Sequence, residues 1–361
     1  SPAHAPGPRP GPAPRPSLRP APRRPSPLST DPSQPPDSAL RDLDLRVPPF
    51  PRTLPSVLEL LHEPGFTDPE DLTEIVQHDP AATARLLKQI NSAYYGLRRS
   101  ISDVGRAIRM MGTTTAAGSV VSLGMLRMDE LADGPVEACF HRFIRHSEAT
   151  GFLASSLLGP LSPADDGPAP ESDVTQGEGF AEGLLHDFGK LVLFYNYPEK
   201  AAALYEEKRF AEHLQETDPR KLERFVFGCD HGQAGAYAAL ELNFPQTLVD
   251  VIRHHHPPHS ETGDAPRRTL RAVRAANLVT KAMGAPLAGV APTAEPIDWA
   301  ACAARPVWRH WNPEPEADGP PPDLMDRLRA KKEMVMLFTD FFVGASDAET
   351  PDRPSGEPLA A

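Results

Sequence analysis

The chain of 361 residues is 40% hydrophobic, enough for a buried core, and its formal charge of −12 argues against a general nucleic-acid-binding surface on its body. Three scattered cysteines, Cys139, Cys229 and Cys302, exclude a disulfide framework and a CxxC metal knuckle. No apolar run reaches the length of a membrane span and the N-terminus lacks the apolar core of a signal peptide, so the expectation is no membrane and a cytoplasmic location.

Residues 1–46 are rich in proline and arginine and almost devoid of large apolar side chains. Such a segment buries too little surface to offset its ordering entropy, and the reading is a disordered tail with polyproline II stretches. Arg9, Arg15, Arg19, Arg23 and Arg24 precede the first acidic residue, so weak, salt-sensitive contact with nucleic acid is confined to this tail.

From Val47 the punctuation changes to helix starts. "TDPEDLTEIVQHDP" places Asp68 as an N-cap with Pro69 at the first helical position, and Asp79 with Pro80 repeats the device. In the second of these helices Ala84, Leu87 and Ile90, with Leu86 beside them, define the expected buried face. "SDVGRAIRMMG" is expected to start on Ser102 and stop at Gly112. A longer helix in "VEACFHRFIRHSEATGFLASSLL" carries Phe140, Phe143, Ile144, Phe152, Leu153 and Leu157 on one side, with His146 on the same helix. A loop over 159–179 separates it from "FAEGLLHDFGKLVLFYNYP". Further helical segments follow to Gly284. A Pro-rich connection and a docking helix occupy 285–343, and a second disordered tail occupies 344–361. No strand-length run of period two occurs, so the fold class is all-α, a multi-helix architecture.

Histidines carry the chemical information. His146, His186, His231, His255 and His256 lie near helix ends, and Asp187 adjoins His186. Imidazole and carboxylate suit Fe, Mn or Zn, and an aspartate beside a histidine can bridge two ions. A lone histidine near a core is more often a hydrogen-bonded structural residue. Tyr94 and Tyr95 in "NSAYYG" and the methionines of "AKKEMVMLF" read as packing residues, and Asn91 as a helix cap or loop tie.

The ordered motifs "LPSVLELL", "EIVQHDPAATARLLKQINSAYYG", "ISDVGRAIRMMG", "GLLHDFGKLVLF", "ERFVFGCDHGQAGAYAALELNFPQTLVDVIRHHHPP" and "AANLVTKAMG" together resemble the HDOD domain, an HD-related output domain of bacterial signalling proteins. The resemblance covers 47–284 and implies an N-terminal helical bundle over 47–134, then a region over 135–284 related to the HD and HD-GYP phosphohydrolases. It also implies that His146, His186, Asp187, His231, His255 and His256 are candidate metal ligands and that Lys190 is a candidate phosphate contact. The triplet His254-His255-His256 leaves the register of the double histidine open by one residue. Asn277 stands where an active enzyme has its final metal-binding aspartate, and the Gly-Tyr-Pro element of cyclic-di-GMP phosphodiesterases is missing after the histidines. The expected function is therefore a non-catalytic signal-transduction module acting on a signalling protein partner or a small ligand, with a partly retained site for a divalent metal. The alternative is a metal-dependent phosphohydrolase acting on a nucleotide or cyclic dinucleotide.

Overall fold

Short helices with their caps written into the chain open the body. The structure, a computed structural model, describes residues 40, 43–51, 53–62, 68–91, 95, 97, 99–126, 134–159, 176–206, 219–256, 268–284, 298–311 and 319–343. Among these every regular element is helical. Both expected terminal tails lie outside the described residues, apart from Leu40 and 43–46.

The N-terminal part comprises α1 (Thr53–Leu61), α2 (Pro69–Val76), α3 (Pro80–Ile90), α4 (Val104–Met111) and α5 (Thr113–Leu126). The Asp68 carboxylate accepts from Glu70 N–H at 2.9 Å, and Asp79 accepts from Ala81 and Ala82 N–H at 3.0 and 3.1 Å, as the caps require. Asn91 ties the loop after α3: its Nδ2 donates to the Leu87 and Ile101 carbonyls, and its Oδ1 accepts from Ile101 N–H at 2.7 Å. Tyr94 lies outside the described residues, and Tyr95 packs against the core.

Two sequence expectations shift. The cap of α4 is Asp103, whose carboxylate accepts from Arg106 N–H, rather than Ser102. The buried face of α3 runs through Ala82, Leu86, Gln89 and Ile90, while Ala84 is exposed and Leu87 half-buried. Arg85, on the same helix, interacts electrostatically with the buried carboxyl of Glu148, which lies in the helix Glu137–Leu158. Burial pushes the Glu148 carboxyl well up; Arg85, Ser122 and Arg145 pull against that rise.

The central helix is α6 (Glu137–Leu158), buried on nearly every side, with Phe140, Phe143, Ile144, Leu153 and Leu157 in the core and Phe152 half-buried. Around it pack α7 (Gln176–Leu185), α8 (Phe188–Asn196), α9 (Pro198–Glu206), α10 (Pro219–Phe227), α11 (His231–Glu241), α12 (Gln246–His254) and α13 (Arg268–Met283). Helix α7 already begins at Gln176, inside the segment expected as loop, and 160–175 lie outside the described residues. The segment expected as one docking helix is two, α15 (Pro322–Ala330) and α16 (Lys332–Val343), after the short α14 (Trp299–Ala303). They join a second apolar cluster with α6 and α13, in which Trp308 is fully buried and its indole N–H donates to the Cys302 carbonyl. Met336 packs against that cluster, whereas Met334 is exposed.

Two glycine contacts set the spacing of the HD-like half. A Cβ on Gly183 of α7 would stand 2.8 Å from Gly151 Cα and from the Thr150 carbonyl of α6, so the two helices touch backbone to backbone. A Cβ on Gly189, the glycine of "HDFGK", would stand 1.7 Å from the His231 carbonyl and 2.7 Å from Gly235 N of α11. Gly189→Ala therefore has no space and must push α8 off α11. The expected outcome is a loss of roughly 3 kcal/mol or more, read as a Tm lower by roughly 6 °C or more. An unchanged melting curve would contradict this packing.

Candidate metal centre

The close approaches bring side chains from four helices and their ends to one point, the carboxylate of Asp187. Asp187 stands between α7 and α8 and is 2% exposed. Its Oδ2 faces His186 Nε2 at 3.4 Å, His146 Nε2 of α6 at 3.8 Å and Lys190 Nζ at 2.6 Å. Its Oδ1 faces His231 Nε2 and His255 Nε2, each at 3.3 Å. His231 Nε2 lies 3.2 Å from His255 Nε2 and 3.0 Å from His256 Nε2. The ligand atoms of Asp187, His231, His255 and His256 all lie within 4.8 Å of one another, and so do those of His146, His186 and Asp187.

The structure brings together all six sequence candidates, and it resolves the register of the histidine triplet. His255 and His256 turn inward and His254 is exposed. Lys190 reaches the centre through Asp187. Asn277 of α13 is buried, and its Oδ1 has no hydrogen-bond partner.

The ring orientations are fixed from behind. His186 Nδ1 lies 2.8 Å from the Gly183 carbonyl and His255 Nδ1 lies 2.9 Å from the Ile252 carbonyl. A carbonyl only accepts, so each Nδ1 carries the proton and each Nε2 offers its lone pair to the centre. His231 Nδ1 donates to Glu223 Oε2 at 2.6 Å, Glu223 Oε2 also accepts from His231 N–H, and Tyr205 Oη donates to Glu223 Oε1 at 2.6 Å. Helix α11 starts at His231 through a capping box in which Asp230 and Gln233 exchange hydrogen bonds, and Arg224 pairs with Asp230. The Arg274 guanidinium donates to the carbonyls of His254, His255 and His256, holding the end of α12 in place.

Sequence reasoning missed the roles of Glu223, the first residue of the motif "ERFVFGCDHG", and of Tyr205 and Arg274, which lie outside the quoted motifs. In "PRKLERFVF" the structure buries Glu223 fully and leaves Phe225 89% exposed, an inversion of the usual order that the sequence alone does not show.

Electrostatics follow from burial and from these partners. Burial alone would raise the Asp187 carboxyl; Lys190, His186 and the other imidazoles outweigh it and hold it well below the ordinary range. Glu223 is likewise held low against burial by His231. Burial would depress His231, but Glu223 and then Asp187 raise it. His186, His255 and His256 are depressed, chiefly by burial, and stand neutral. Lys281 of α13 is pushed down to about 8 by burial and by Lys190, with Asp187 opposing.

The donor set fits a divalent ion. His186 Nε2 and Asp187 Oδ1 are buried without a hydrogen-bond partner, and imidazole lone pairs converge on a carboxylate oxygen. Such lone pairs repel one another unless a cation, proton or metal, stands among them.

The HDOD domain profile matches residues 47–258, more than half of the chain. This chain belongs to the HDOD domain family. A curated relative from Treponema pallidum (strain Nichols), an uncharacterized protein, is 25% identical over 215 residues; the match spans 59% of this chain but only 38% of that relative. An HDOD domain protein of unknown function from Geobacter sulfurreducens superposes with a TM-score of 0.62 at 17% identity, covering 82% of this chain and 93% of that one. A proposed phosphohydrolase from Shewanella amazonensis SB2B superposes with a TM-score of 0.55 at 19% identity, covering 84% and 97%. At these identities the likeness is one of fold.

Glu223→Gln should weaken divalent-metal binding by roughly tenfold to a hundredfold, read by competition with a chromogenic chelator. Without metal, the stability from Glu223 and Asp187 is present above their unfolded pKa values and is lost as pH falls through their lower folded ones. The stability from protonated His231 is present at low pH and lost as pH rises through its raised folded value. Urea midpoints of metal-free protein should therefore pass through a maximum between these limits, flattened on both sides in Glu223→Gln. Equal slopes in the two proteins would refute the coupling.

Proposed function

We propose that this HDOD protein is a non-catalytic signal-transduction module that works by engaging a protein partner or a small ligand, and that its body is built around a divalent metal centre. A cytoplasmic location accords with its buried cysteines, and no described helix is long and apolar enough to cross a membrane. The metal ligands would be drawn from His146, His186, Asp187, His231, His255 and His256, with Fe, Mn or Zn suited to the donor types.

A bound divalent ion in a hydrolytic site polarises a phosphoryl oxygen and acidifies water. The observation that carries the non-catalytic reading is the charge at this centre. Asn277, the residue that the family resemblance aligns with the final carboxylate of related hydrolases, is a neutral amide, and Lys190 is already bonded to the one central aspartate. With its ammonium held by Asp187, Lys190 is not offered to a phosphate.

The second reading, a metal-dependent phosphohydrolase, is favoured by the retention of all six His and Asp donors in one place. Metal analysis of protein purified without a polyhistidine tag, together with assays on bis(p-nitrophenyl) phosphate and cyclic dinucleotides in Mn, Fe or Zn, separates the readings. The expected result is bound metal, lost in Asp187→Ala, with no hydrolysis above the metal-free control. Metal-dependent turnover abolished by Asp187→Ala would establish the second reading.

A further inference from the structure

The two sides of the Asp187 carboxylate are not equivalent. On the Oδ1 side stand four protein donors: the carboxylate oxygen, His231 Nε2, His255 Nε2 and His256 Nε2. Donors about 2.0–2.1 Å from a tetrahedral zinc ion lie about 3.3 Å from one another. The edges present are 3.3 Å from Oδ1 to His231, 3.3 Å from Oδ1 to His255, 3.2 Å from His231 to His255 and 3.0 Å from His231 to His256. These four edges already have the length of a tetrahedral shell. Behind them Glu223 and the Ile252 carbonyl hold two rings with their lone pairs forward, and Arg274 fixes the backbone that carries His255 and His256.

The Oδ2 side differs. It has two imidazoles, more widely spaced at 3.4 and 3.8 Å, and a cation already in position, the Lys190 ammonium at 2.6 Å. Lys190 leaves this place only at a cost, because its charge-assisted bond to a buried carboxylate is strong.

Building on the reading of a retained metal centre, we infer that this chain holds a single ion, preferentially Zn²⁺, in a closed shell of Asp187, His231, His255 and His256, while the Lys190 ammonium permanently occupies the His146–His186 side. A shell with four protein donors leaves no position for water or substrate, the mark of a structural zinc site. The ion then braces the meeting of α8, α11 and α12. His146 and His186 then stand as neighbours of the Asp187–Lys190 pair, not as ligands.

Titration of metal-free protein with Co²⁺, a coloured stand-in for zinc, tests this. The wild-type protein should take up one equivalent and show the intense visible bands of tetrahedral Co²⁺. His256→Ala should lose that spectrum, His146→Ala should keep it, and Lys190→Met should take up a second equivalent. Circular dichroism verifies that each variant is folded, and the wild-type stoichiometry and spectrum stand without any variant. Two equivalents in wild type, the weak bands of six-coordinate Co²⁺, loss of the ion in folded His146→Ala, or a single equivalent in Lys190→Met would overturn the assignment while leaving a metal centre in place. No uptake at all would remove both the assignment and the reading beneath it.

Discussion

A single buried anion organises the HD-like half of this molecule. An unpaired carboxylate away from water would cost far more than a domain's net stability can bear, so Asp187 has to be surrounded by groups that carry or accept positive charge. Lys190, with His146 and His186, answers it from the Oδ2 side, and His231 and His255 from the Oδ1 side. Four histidines of the centre are in turn tied to helix ends, and His146 lies within α6: His231 opens α11, His255 and His256 close α12, and His186 follows the end of α7. The centre is therefore also the joint at which these helices meet. Removing its charge balance would loosen the packing, and displacing a helix would scatter the ligands.

Backbone contact makes that joint possible. Gly183 against Gly151 and Gly189 against His231 let helices approach more closely than any side chain permits, and the distances around Asp187 follow from that approach. The glycine of "HDFGK" thus has a steric role distinct from the chemistry of its neighbours.

Much of this was legible in the sequence, for physical reasons. The Asp-Pro caps at Asp68 and Asp79 are local devices whose hydrogen bonds close within three residues, so they read directly. The six donors were legible because ordered motifs fixed their identity. The pairing of Glu223 with His231 and the clasp of Arg274 on the last turn of α12 were not legible, since each depends on how one helix end sits on another. The face of α3 was misjudged from Ala84 and Leu87 because Ala82 and Gln89 take the buried positions, which depends on how α3 packs against its neighbours. Which of three consecutive histidines faces the centre was settled only by where α12 ends.

The same geometry ties fold to function. A centre whose aspartate is already paired with Lys190, and on whose Oδ1 side four donor atoms converge, is suited to holding helices in register. The most direct measurement is X-ray absorption at the metal edge of the as-purified protein. The account predicts a first shell of four nitrogen or oxygen donors at about 2.0–2.1 Å with multiple scattering from three imidazoles and no neighbouring metal. A six-donor shell, or a second metal about 3.5–4 Å away, would contradict it and restore the hydrolytic reading.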